Sequence, residues 1–367
     1  MKKATALLLA LALVIGLTAC GNPTDPTTAP TTAPTTEPAL NNPTTEPTQA
    51  GRPSWDGGSG GTTESNHVHH EVEPGTEGAA TVYFTADISP AGLMAIYEAL
   101  GVELTGENIA VKLHTGESQN SNHLRPDFIK DLIQHLDATI VECNTAYGGS
   151  RSSTAMHYQL AEDHGFTAIA DVVIMDEEGS MSLPVNGGTV LTENKVGARF
   201  AEFDGMLILS HFKGHMMGGF GGAIKNMSIG IASTEGKCLI HTGGESSTSP
   251  WGGESPVFMD SMAEAAKSVV DALEGNIIYI SVMNNLSIDC DCNGYPGAPD
   301  IHDIGILAST DPVALDQACV DLIYNAEGNA SFTRRIESVG GEDTLEHGEE
   351  IGLGTRSYFI VNIDEQE

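Results

Sequence analysis

The run Gly205-Met-Leu-Ile-Leu-Ser210 shows no alternation of apolar and polar residues. A strand that is apolar at every position is buried on both faces. Such strands belong to parallel sheets with helices packed on either side. Behind this run comes a glycine-rich turn through His211-Phe-Lys-Gly-His215 and Gly218-Gly-Phe-Gly-Gly222, then Ala223-Ile-Lys-Asn-Met-Ser-Ile-Gly-Ile-Ala232, which reads as a helix. Strand, glycine-rich turn and helix is the arrangement in which open α/β sheets hold ligands. Gly219, Gly221 and Gly222 let backbone N–H groups approach a bound group. Lys213 and Lys225 supply positive charge, Asn226 joins them as a ligand-binding residue, and His215 and the later His241 offer metal-ligating nitrogen.

The same alternation runs through the chain from about residue 80 to the end. Thr81–Thr85, Asn108–His114, Ala138–Cys143, Asp171–Met175, Asn276–Val282 and Asp303–Ala308 read as strands. Pro90–Leu100, Pro126–Leu136, Ser153–His164, Met259–Leu273 and Pro312–Tyr324 read as helices, three of them with proline in the first turn. The expected class is α/β, a mostly parallel sheet flanked by helices on both faces, built by residues 80–367 as one domain.

Residues 1–19 read as a leader: Lys2 and Lys3, an apolar core from Ala6 to Ile15, then Leu17-Thr-Ala-Cys20. That apolar run is too short to span a bilayer. Leu-Thr-Ala-Cys resembles a bacterial lipobox, which implies cleavage before Cys20 and a lipid anchor on it. The expected location is the extracytoplasmic face of a bacterial membrane. Residues 20–79 are rich in Thr, Pro, Gly and Ser and read as a disordered tether. His67, His69 and His70 lie on it, either as metal-scavenging side chains or as part of a solvated linker. The chain carries 50 acidic against 16 basic residues, net −34. Nucleic acid is therefore excluded as a partner.

Two further clusters follow expected strands. Ser121-Asn-His-Leu-Arg-Pro-Asp127 places His123 and Arg125 either at a site, as base and anion clamp, or in a capping loop. Asn284–Gly294 contains Asp289-Cys-Asp-Cys-Asn293. Cys290 and Cys292, two apart on an extended segment, point the same way, so both thiolates reach one metal or each other. Two cysteines alone complete neither a structural zinc site nor an iron–sulfur cluster. With Cys20 lipidated, five cysteines remain, and an odd set leaves at least one free thiol. Cys143 and Cys319 fall within a strand and a helix and read as core residues. Asp311, before Pro312, reads as a helix cap; Asp316 is assigned either to the site or to its helix.

His211-Phe-Lys-Gly-His215, Gly219-Phe-Gly-Gly-Ala-Ile-Lys-Asn226, Asp289-Cys-Asp-Cys-Asn293 and Thr310-Asp-Pro-Val-Ala-Leu-Asp316 together resemble the domain of unknown function 362 family. The resemblance covers nearly all of the folded region. Many of its members carry a ferredoxin-like segment with Cys-x-x-Cys runs and are described as iron–sulfur centre proteins. This chain has no Cys-x-x-Cys, so a four-cysteine cluster is not expected from it alone. The spacing of His215, Lys225 and His241, and His123-Leu-Arg-Pro126, which departs from a His-Arg-Pro motif by Leu124, is similar to the nickel-pincer lactate racemase family. That resemblance implies Lys225 as the residue tethering the cofactor, His241 as the nickel ligand, and His123 and His215 as proton-exchanging bases.

The leading expectation is thus a metal- or cofactor-binding α/β lipoprotein, redox-related in chemistry, with a transition metal (iron, nickel or zinc) at His215, His241, Cys290 and Cys292. One alternative is a non-catalytic surface module that binds a small anionic ligand. Another is a racemase-like enzyme acting on hydroxy acids.

Overall fold

The computed structural model describes residues 67–118 and 121–365. The leader, Cys20 and the tether up to residue 66 lie outside the described residues.

Twelve strands and nine helices order the described chain. They are β1 (Ala80–Thr85), α1 (Pro90–Ala99), β2 (Ile109–Lys112), α2 (Pro126–His135), β3 (Thr139–Glu142), α3 (Thr154–Asp163) and β4 (Val172–Ile174). Then come the hairpin β5 (Ser180–Pro184) and β6 (Glu193–Gly197), β7 (Gly205–His211), and the small hairpin β8 (Lys213–His215) and β9 (Gly219–Gly221). They are followed by α4 (Ala223–Ser228), α5 (Thr234–Thr242), α6 (Ser255–Ala272), β10 (Ile277–Met283), β11 (Gly305–Ser309), α7 (Pro312–Asn325), α8 (Ala330–Val339), α9 (Asp343–Glu350) and β12 (Tyr358–Asn362). None of the described helices is long and apolar enough to cross a membrane.

Eight strands form one sheet in the order β12-β1-β11-β10-β7-β2-β3-β4. β7 is central and parallel to β10 on one side and to β2 on the other. Every residue of β7 and β10 is buried, as an unbroken apolar run demands. Successive residues of β7 feed opposite cores. Leu207 and Leu209 join Leu93, Ile129 and Leu132 of α1 and α2; Met206 and Ile208 join Ile224, Val269 and Val320 of α4, α6 and α7. Helices therefore cover both faces, and the α/β class expected from the sequence is what the chain adopts.

β11 runs against both of its neighbours. The chain between β10 and β11 contains no helix, so nothing carries it back to the starting end of the sheet, and a return strand must be antiparallel. Two expectations need correction. The helix read over residues 223–232 is shorter: α4 stops at Ser228, and a separate helix, α5, starts beyond that stretch, where Ser233 caps it by accepting the Gly236 N–H at 3.2 Å. Residues 67–79, read as the end of a solvated tether, pack on the domain. The Val72 N–H donates to the Tyr358 carbonyl at 2.8 Å, and Glu71 forms an isolated parallel bridge with Tyr358.

Candidate functional site

The carboxyl ends of β2, β3 and β7 open into one cleft, roofed by the β8–β9 hairpin, α4, α5 and the segment between β10 and β11. The cleft encloses about 880 Å³, counting its open mouth. Lys213, His215, Gly221, Gly222, Lys225, Asn226, His241, Cys290 and Cys292 all line it. Residues spread over eighty positions of sequence thus share one space because a parallel sheet delivers its strand ends to one edge.

Five side-chain cations surround the cleft: Lys112, Arg151, Lys213, Lys225 and Lys237. Four of them are engaged. Lys112 Nζ lies 2.8 Å from Glu142 and also donates to Asn226 Oδ1 at 3.0 Å. Arg151 pairs with Glu117 at 3.0 Å and faces Glu142 at 3.7 Å. Lys213 donates to Asp291, and Lys237 donates to the Ala232 carbonyl. Burial alone would raise the Glu142 carboxyl, but Lys112 and Arg151 hold it down to about 2. Asp291 is likewise held well below the usual carboxylate range, against its burial, by His211 and Lys213.

Lys225 differs. No hydrogen bond or ion pair reaches its amine among the described residues. Burial lowers it to about 7, with Lys213, Arg151, Lys112 and Lys237 adding repulsion. Lys225 thus presents an amine close to half-protonated at neutral pH in a cleft of fixed positive charge.

Backbone partners fix the tautomers of two histidines. His215 Nδ1 accepts the N–H groups of Gly218 at 2.9 Å and Met217 at 3.2 Å. Its single proton must then sit on Nε2, because Nδ1 is an acceptor. Burial, then Lys225, keeps this ring far below its ordinary pKa and therefore neutral. His241 is the reverse: Nδ1 donates to the Lys237 carbonyl at 2.6 Å, which leaves the lone pair on Nε2. Its ring stacks on Phe258 at 4.7 Å, and burial lowers it to about 4. One cleft thus holds an N–H donor, an imidazole acceptor and a near-neutral amine.

Cys290 and Cys292 are joined by a disulfide. His215 lies close enough that its ring nitrogen and both sulfurs fall within 4.8 Å of one another. The bonded sulfurs are not thiolate ligands, and His215 already uses Nδ1 as an acceptor. His241 stands outside that group. The expected four-ligand set of His215, His241, Cys290 and Cys292 is therefore not assembled as a metal site in this oxidised form. Between the two cysteines, Asp291 is buried and fixed by both His211, at 3.1 Å, and Lys213. The cysteine pair is thereby anchored to the His211-Phe-Lys213 motif. The remaining described cysteines, Cys143, Cys238 and Cys319, are free and buried, and burial pushes the Cys143 thiol up to about 12.

Two expected site residues fall elsewhere. His123 is 2% exposed and does not line the cleft. It bonds Ser121 at 2.8 Å and Arg125 at 3.0 Å, stacks on His164 at 4.3 Å, and is lowered to about 3 by burial, then by Arg125. It serves the loop after β2. Gly219 sits at φ +75°, where a Cβ would meet the backbone of Gly341 and Ile336 at 3.0 and 3.1 Å, so it packs β9 against α8. Gly222 has a different constraint. A Cβ there would meet Asp316 Oδ1 at 2.2 Å, and Asp316 accepts the N–H groups of Ala223 at 2.7 Å and Ile224 at 2.9 Å. Asp316 therefore caps α4 from α7 instead of entering the cleft, while Asp311 caps its own helix as expected.

Lys112, His114, Glu142 and Arg151 belong to the cleft and were missed. For Lys112 and Glu142 the signal was a lone charge at the carboxyl end of an apolar run, Lys112 after Ile109-Ala-Val111 and Glu142 after Ile140-Val141; Arg151 follows Gly148-Gly-Ser150, with no such run before it.

A family model described as domain of unknown function (DUF362) matches residues 109–321, more than half of the chain. None of the curated proteins matches. Among solved structures, the lactate racemase apoprotein from Thermoanaerobacterium thermosaccharolyticum is similar at 11% identity and a TM-score of 0.40, over 66% of this chain and 57% of that one. A Thermotoga maritima protein from a structural genomics programme is similar at 12% identity and a TM-score of 0.37, over 71% of this chain and 58% of that one. The chain thus spans less than two thirds of either structure.

Proposed function

Since the chain belongs to the DUF362 family, whose description assigns no activity, we propose from the cleft itself that the protein binds a small organic anion, a substrate or a cofactor, over Lys225. The observation that carries this is the charge pattern: four of five cations have protein partners, and Lys225 has none among the described residues. An acidic protein that gathers five cations around one opening, and leaves one unengaged, has the electrostatics of an anion site. His215 Nε2–H donates to the bound molecule and His241 Nε2 accepts from it. A donor and an acceptor on one molecule are what proton transfer requires.

A metal reaches this cleft most readily as part of the bound molecule. Of the expected ligands, the tautomers leave His241 Nε2 with a lone pair directed away from its backbone partner, and Lys225 has an amine able to hold an organic group. Those two residues fit a metal-bearing organic cofactor, which would supply Lewis-acid or redox chemistry. A cluster held by the chain's own cysteines does not fit. The leader and Cys20 support placing this site on a lipid-anchored protein outside the cytoplasm.

The test is calorimetric titration of the full chain with oxalate, L-lactate and inorganic phosphate at pH 7.5, wild type against Lys225→Met. At least one probe should bind, tenfold or more weaker in the variant. Binding should take up protons, because an anion raises the amine from about 7 through the working pH. Unchanged binding by the variant, or no binding by the wild type, would overturn the proposal.

A further inference from the structure

The docked segment before β1 carries His67 and His69, and it sets both against Asp321 of α7. Asp321 is 1% exposed. His67 Nε2 lies 3.1 Å from its Oδ1, and His69 Nδ1 lies 3.7 Å from its Oδ2. We propose that His67, His69 and Asp321 form a second site, distinct from the cleft, that binds a divalent transition metal of the zinc class and fastens the incoming segment to the domain.

The ligand atoms of the three residues lie within 4.8 Å of one another, and the His67–Asp321 and His69–Asp321 pairs, at 3.1 and 3.7 Å, fall inside the span of about 4.0–4.4 Å open to two ligands of one ion with bonds of about 2.0–2.2 Å. The carboxylate is held in a fixed orientation. Gln317 donates to Oδ1 at 2.7 Å, the Tyr358 hydroxyl to Oδ2 at 2.8 Å, and the His70 backbone N–H to Oδ2 at 2.9 Å. His67 is held too, stacked on Tyr324 with ring centroids 3.7 Å apart and edge-on to His69 at 4.8 Å.

The arrangement behind His67 is the more telling part. Its Nδ1 faces Glu342 Oε1 at 2.8 Å, an acceptor, so Nδ1 carries a proton. In the neutral ring the lone pair is then on Nε2, facing Asp321. A lone pair and a carboxylate oxygen 3.1 Å apart are bridged by a second proton or by a cation. A carboxylate behind a histidine whose other nitrogen faces the ligand position is the usual outer support of a metal-bound imidazole. Glu342 is itself held by Arg356 at 2.9 Å. Two imidazoles and one carboxylate favour zinc-class ions over calcium or magnesium, which prefer all-oxygen sets. His69 is half exposed, which leaves the site open to water as a further ligand.

The experiment is calorimetric titration of the chelator-stripped full chain with zinc chloride. It compares wild type, His69→Ala, Glu342→Gln and the double variant Cys290→Ser/Cys292→Ser. One equivalent should bind to wild type. Binding should weaken at least tenfold in His69→Ala, whose exposed side chain is not needed for folding, and by about 10- to 100-fold in Glu342→Gln. The cysteine variant should bind as wild type does. Zinc should also slow proteolysis within residues 67–75 in wild type and not in His69→Ala. No zinc binding by wild type, wild-type affinity in His69→Ala, or loss confined to the cysteine variant would each overturn the site.

Discussion

The unengaged amine of Lys225 makes a quantitative prediction about reactivity. At about 7, half of it is neutral at pH 7. An ordinary lysine near 10.4 is neutral in only about one molecule in a few thousand at that pH. Lower basicity reduces intrinsic reactivity; with the slope of about 0.4–0.5 known for thiols, the advantage in neutral amine falls to about 25- to 55-fold. Lys130, exposed on α2, is the internal reference. The assay is brief treatment with pyridoxal 5′-phosphate, an anionic aldehyde suited to a cationic cleft, then borohydride trapping and peptide mass mapping from pH 6 to 10. Lys225 should dominate labelling at pH 7, with a midpoint close to 7, and oxalate should slow it. Lys225→Met should remove that fast phase and leave Lys130 unchanged. Labelling of Lys225 no faster than Lys130 at pH 7, or a midpoint above 9, would refute the reasoning, because burial and four neighbouring cations would then not be acting on the amine.

Gly222→Ala should destabilise the fold by about 1–3 kcal/mol in urea titrations, since a methyl group displaces Asp316 from the start of α4. Asp291→Asn should cost about 3–5 kcal/mol by the same measurement, because it leaves buried Lys213 and His211 without their counter-charge. Glu142 gives the acid limb of stability. Its folded pKa, about 2, is below its ordinary 4.5, so its contribution is full above 4.5 and is lost as pH falls from there through 2. Circular dichroism should show a steeper acid transition over that window for wild type than for Glu142→Gln. Mild reduction of the native protein should release two thiols that react with a bulky maleimide, at Cys290 and Cys292. Cys143, Cys238 and Cys319 should react only after denaturation.

The readable part of this molecule follows from short-range pattern. An unbroken apolar run announces a strand buried on both faces, and Gly205–Ser210 forms β7, whose carboxyl end opens into the cleft. The misread part depends on partners distant in sequence. His123 and His215 are equally polar on paper. One faces Ser121 and His164 because the loop after β2 turns inward, and the other lines the cleft from the β8–β9 hairpin, which turns over residues 216–218 with Gly219 at φ +75°. Lys112 and Glu142 sit on different strands, thirty residues apart, and meet only because β2 and β3 pair in parallel register. A lone charge at the end of an apolar strand is therefore informative in itself. Burying it costs several kcal/mol unless an opposite charge arrives from a neighbouring strand, so two such strands in one parallel sheet imply an ion pair at its carboxyl edge. The same reasoning covers His67 and His69. Composition assigned them to the tether, and the buried carboxylate of Asp321, more than 250 residues later, joins Glu342 and the backbone of Tyr358 in holding the segment on the domain.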